Sequence, residues 1–126
     1  MYFALTLASA AGGSCFGQFV VGKCYSAGWG VAQDYAEAVR LYRLAAAQGH
    51  AVAQVNLGLM FEYGAGVAKD YAEAVRLYSL AAAQGDASAQ YNLGNMFQNG
   101  QGVAQDYAEA VRLYSLAAAQ DRKSVV

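Results

Sequence analysis

One histidine, His50, and two cysteines, Cys15 and Cys24, are this chain's whole stock of imidazole and thiol groups. Acyl transfer needs a nucleophile, a base within hydrogen-bond reach and a group that orients the base. No such set can be assembled around His50. A structural zinc needs four ligands, and no others stand near that histidine. If both cysteines lie on one helix, their nine-residue spacing puts them about 13.5 Å apart. A disulfide needs Cα atoms within about 7 Å, so they read as buried or half-buried thiols. The carboxylates Glu37, Glu73 and Glu109 each precede an arginine (Arg40, Arg76, Arg112) by three positions. A general acid–base pair needs one carboxyl in unlike, desolvated surroundings. Identical copies read instead as surface ion pairs contributing a few tenths of a kcal/mol. The Gly-x-Gly-Val loops lack the lysine and Ser/Thr of a phosphate-cradling loop and do not follow a strand. The chain is therefore expected to be no enzyme, with no catalytic, cofactor or metal residues.

What must position these groups is a repeat. The string DYAEAVRLY starts at Asp34, Asp70 and Asp106, a step of 36 residues each time. A fixed period in this range marks stacked helical units. Three full units follow, Cys15–His50, Ala51–Asp86 and Ala87–Arg122, the last truncated as a repeat at Gln120. The second and third agree at 27 of 36 positions. Hydrophobic residues make up 57% of the chain, proline is absent and the net charge is −1. No Lys/Arg cluster appears before the last six residues, which argues against a nucleic-acid or anionic-membrane surface. No apolar run reaches the roughly 18 to 20 residues of a membrane span.

Each unit reads as two helices. In the middle copy the first is expected over Ala51–Tyr63, stopped by Gly64 in a left-handed cap. Asp70 then caps the second, Tyr71–Gln84, with Glu73 three residues on in a capping-box-like pattern. Ala74, Leu77, Tyr78 and Ala81 form its apolar stripe. Leu57 and Phe61 pack into the same core. Gly58 is expected where a neighbouring helix passes too close for a side chain. Trp29, in the first loop, is expected to pack locally, with an exposed contact as the alternative, and His50 to sit exposed at a helix start.

The ends differ from this frame. Leu5, Ala10, Ala11 and Gly13 fall in register with Leu41, Ala46, Ala47 and Gly49, so residues 1–14 read as a degenerate half-repeat. They lack the basic region of a signal peptide, whose apolar core they would also fall short of, and the compartment stays open. After Gln120 the repeat calls for glycine, but the chain reads Asp-Arg-Lys-Ser-Val-Val. The codons GATCGGAAGAGCGTCGTG encode that tail and resemble a common sequencing adapter, so residues 121–126 are read as non-native. The helix before the tail is expected to leave its outer face uncapped and to promote self-association.

These units resemble the Sel-1-like repeat, a relative of the tetratricopeptide repeat. The resemblance is carried by Ala53-Gln54, Leu57-Gly58, Phe61, Gly64, Gly66-Val67, Asp70, Ala74, Tyr78, Ala81-Ala82 and Gly85. The third copy matches at Ala89-Gln90, Leu93-Gly94, Phe97, Gly100, Gly102-Val103, Asp106, Ala110, Tyr114 and Ala117-Ala118. The first is weaker in its first helix, with Gln18, Val21-Gly22 and Tyr25. The resemblance covers Cys15–Gln120. It implies an all-α, right-handed α-solenoid of helix–turn–helix units that acts as an adaptor for a protein or peptide. The alternative is a structural spacer within a longer repeat protein.

The copies themselves point to a binding face. From Asp70 to Gln84 the second helix is repeated without change over Asp106–Gln120. The first helices differ at Val52/Ser88, Val55/Tyr91, Leu59/Asn95, Glu62/Gln98 and Tyr63/Asn99, steps that follow one helix face. The expectation is a constant core and a varied, solvent-facing stripe. First helices line the concave surface in tetratricopeptide-like arrays, so this stripe is the candidate groove. The first unit adds Phe16, Phe19 and Lys23.

Overall fold

A computed structural model describes residues 13–125 of the chain, with side chains for 13–120. Its six helices are α1 (Cys15–Ala27), α2 (Tyr35–Ala47), α3 (Ala51–Tyr63), α4 (Tyr71–Ala83), α5 (Ala87–Asn99) and α6 (Tyr107–Val125). No strand occurs among the described residues. Each helix packs on its chain neighbours, most closely within a repeat. The result is an all-α solenoid. The segment read as a half-repeat lies outside the described residues apart from Gly13 and Ser14. Ser14 caps α1, accepting from the Gly17 N–H at 3.2 Å.

The helix punctuation follows the local chemistry. Gly64 takes φ +69° at the end of α3 and donates its N–H to the Met60 carbonyl, a conformation that costs glycine little. Asp70 Oδ1 accepts from the Glu73 N–H at 3.1 Å and so opens α4. The capping box expected here forms only by half. The Asp70 N–H donates to the Phe61 carbonyl at 2.9 Å, so Glu73 has no backbone donor to return to and binds Arg76 instead. Asp34 and Asp106 repeat both bonds. Asp70→Ala should cost about 1 kcal/mol and Asp70→Asn much less, because Asn caps about as well as Asp. Thermal unfolding followed by circular dichroism checks this; equal losses in both variants would rule out the cap as the cause.

The core is built from the repeated stripe. Ala74, Leu77, Tyr78 and Ala81 are all buried, as are Leu57 and Phe61. Gly58 lies, as expected, where the neighbouring helix comes too close for a side chain, and what it meets there is a ring. A Cβ at that position would lie 2.6 Å from Tyr78 Cε1, and Gly22 and Gly94 face Tyr42 and Tyr114 in the same way. Burial raises the pKa of all three tyrosines, and the bond to Glu62 raises that of Tyr78 further. The Tyr78 hydroxyl stays protonated and donates to Glu62 Oε1 at 2.7 Å.

Two devices join one repeat to the next. Gln54 is buried, and its Nε2 donates to the Ala46 carbonyl of the preceding unit at 3.2 Å. Its Oε1 accepts from Gln84 Nε2 at 2.9 Å. Gln18 with Gln48 and Gln90 with Gln120 form the same amide pair. Buried amides need such partners, and no buried side-chain polar atom is left without one among the described residues. The second device is backbone on backbone: Gly66 abuts the Tyr35 carbonyl and Gly102 that of Tyr71.

α6 continues past Gln120 to Val125 instead of stopping at the end of the repeat. Tyr107, Val111 and Leu116 on it are exposed.

Candidate functional site

The first helices α1, α3 and α5 present the face where the copies diverge. Its main feature is an open groove of about 870 Å³. Val55, Leu59, Ser88, Tyr91, Asn95 and Gln98, all on the divergent stripe, line it. Tyr91 is 55% exposed and its ring leans on Tyr114 with centroids 5.7 Å apart. The Tyr114 hydroxyl is hydrogen-bonded to the side-chain amides of Asn95 and Gln98, which fixes the groove's amide wall. Among the described residues no charged side chain lines it.

The stripe is not uniformly solvent-facing. Val55 is only 5% exposed and belongs to the core, because α3 is an inner helix with neighbours on both sides. Its counterpart Tyr91 is long enough to reach out. Glu62 is half-buried and held by Tyr78. Phe16, Val52, Tyr63 and Asn99 are exposed but line neither this groove nor its neighbour.

A second cavity of about 220 Å³ lies between α1 and α3, lined by Lys23, Ser26, Ala27, Trp29, Tyr42 and Met60. It shares Asn56 and Leu59 with the larger groove, so the two adjoin across α3. Trp29 does not pack inward as expected. It is 59% exposed on a turn between Gly28 and Gly30, both left-handed, which carry it away from the core. Lys23 Nζ stands 5.6 Å from the Phe19 ring centroid and 5.9 Å from that of Trp29.

His50 is likewise more engaged than an exposed helix start. Its Nδ1 accepts from the Ala53 N–H at 3.1 Å, capping α3. Its ring lies 4.9 Å from that of Phe19, which also leans on Tyr42. The Phe19–His50 contact thus ties α1 to the cap of α3.

Sequence comparison missed the groove residues Asn56 and Asn92. They are one repeat apart and identical, so a search for differences between copies passed over them. Ala87, Asn92, Tyr114, Ala117 and Ala118 complete the lining. Both cysteines are free. Among the described residues no group of three or more His, Cys, Asp or Glu could hold a metal ion, and no helix is long and apolar enough to cross a membrane.

The Sel1 repeat family model matches residues 16–50, 51–86 and 87–121. The chain belongs to the Sel1 repeat family. Sel1 repeat proteins are generally protein-interaction scaffolds, and their fold is typically non-catalytic. Two crystal structures show the same architecture. One is c5321, a protective antigen present in uropathogenic Escherichia coli strains and displaying an SLR fold, at 45% identity and a TM-score of 0.87. The other is a Sel1 repeat protein from Oxalobacter formigenes, at 39% identity and a TM-score of 0.82. They cover 88% and 86% of this chain, which spans only 24% and 44% of theirs. Among curated proteins no match was found.

Proposed function

We propose that this Sel1 repeat array is a scaffold that takes an extended peptide segment of a partner protein along its first-helix face. The observation that carries this reading is the open groove around Tyr91, lined among the described residues by uncharged side chains alone. Exposed tyrosine gives a rigid apolar anchor with a polar tip. Carboxamides such as Asn56 and Asn92 can both donate to and accept from a peptide backbone. Solenoids commonly offer such extended surfaces for binding.

The test avoids Phe19, whose loss would also disturb Tyr42 and His50. Tyr91→Ala with Ser88→Arg alters only exposed side chains of the groove. The double variant should keep the helical circular-dichroism signal and bind an isolated wild-type partner at least tenfold more weakly, about 1.4 kcal/mol. Equal binding by both proteins would leave the array a spacer or move its site elsewhere.

A further inference from the structure

We infer that the groove is polarised, and that its occupant carries an acidic side chain where it crosses α1. This rests on the peptide-binding reading above and adds the partner's chemistry. Lys23, Leu59 and Asn95 hold the same register in successive repeats, so one row of the face runs from cation through apolar to amide. Among the described residues Lys23 is the one charged side chain lining either cavity.

Its charge has no partner among the described residues. The ion pairs among the described residues all join Glu37, Glu73 and Glu109 to arginines on α2, α4 and α6. Asp34, Asp70, Asp86 and Asp106 cap helices. Glu62, one row away, is held by the Tyr78 hydroxyl and lines neither cavity. The faces of Phe19 and Trp29 position the ammonium without neutralising it. A single ammonium between aromatic walls suits one carboxylate on an apolar stem. The cavity adjoins the larger groove across Asn56 and Leu59 on α3, so an extended segment laid across α3 can reach both.

Geometry sets the spacing. Packed helices lie about 8 to 10 Å apart, the least separation successive first helices can have, and an extended chain rises about 3.3 Å per residue. From the Lys23 row on α1 to Tyr91 on α5 is then at least about six residues. The motif is an acidic side chain at least about six positions from an apolar one that meets Tyr91.

The experiment is selection of phage-displayed random dodecapeptides on the purified chain, with the peptide C-terminus joined to the coat protein so that no free terminal carboxylate is offered. The same selection is run on Lys23→Glu and Tyr91→Ala. The expected consensus has Asp or Glu at that spacing from an apolar residue, and Lys23→Glu selects Lys or Arg there instead. A synthetic consensus peptide should bind Lys23→Glu about tenfold more weakly. A consensus without an acid, or one unchanged in Lys23→Glu, overturns the inference. If that neutral consensus is lost in Tyr91→Ala, the groove reading survives without its acidic end. No enrichment on any of the proteins overturns both.

Discussion

Gly66→Ala is expected to lower stability by about 3 kcal/mol, although it adds a single methyl group. The backbone there has φ +74°, a region that costs a side-chain-bearing residue about 1 to 2 kcal/mol. The added Cβ would also stand 2.6 Å from both the carbonyl carbon and oxygen of Tyr35. Neither atom can rotate away, so the clash is relieved only by prising the first two repeats apart, an overpacking cost of about 1 to 3 kcal/mol. Gly85→Ala is the control. Its φ is +89°, yet nothing lies within 4 Å of the position a Cβ would take, so only the backbone cost remains. Urea unfolding followed by far-UV circular dichroism should separate the two variants clearly. Equal midpoints would mean that the contact with Tyr35 carries no weight.

The largest loss should come from Tyr78→Ala, at about 3 to 5 kcal/mol. The ring is fully buried and fills the space that Gly58 leaves open. Tyr78→Phe keeps the ring and loses only the bond to Glu62, at about 1 kcal/mol. The pairing with Gly58 makes a sharper test. In the wild type, Gly58→Ala drives a methyl group against Tyr78 Cε1 and should destabilise. In the Tyr78→Ala background the obstacle is gone, and the same change should recover about 1 kcal/mol of helix propensity. A double-mutant cycle reads the change of sign directly. Additive effects would show that the glycine is not kept for the ring.

Much of this frame is legible in the chain because it depends on local chemistry. Asp70 and Gly64 mark helix ends through groups within a few residues of themselves, and α3 runs from Ala51 to Tyr63 as periodicity requires. The misreadings fall where a partner arrives from far along the sequence. The capping box halves because the Phe61 carbonyl claims the Asp70 N–H. Gly58 is read correctly as a close approach, but the ring that needs it stands twenty positions on. Trp29 is expected to pack locally, yet its two flanking glycines turn it outward. The groove was half legible. Divergence between copies picks out Tyr91 and Asn95 but is blind to Asn56 and Asn92, which are alike in both.

The exact repetition of Asp70–Gln84 at Asp106–Gln120 has a consequence for assembly. Side-chain fit alone cannot tell α4 from α6, since either segment matches the Gly–Tyr socket on α3 or on α5. What assigns each to its place is the short loop that tethers it to the preceding helix, from Gly64 to Asp70 or from Gly100 to Asp106. During folding the correct pairing wins by proximity along the chain, because closing a short loop costs less entropy than closing a long one. The order of the helices is thus written in the connections, and severing one of those loops would make the two segments interchangeable.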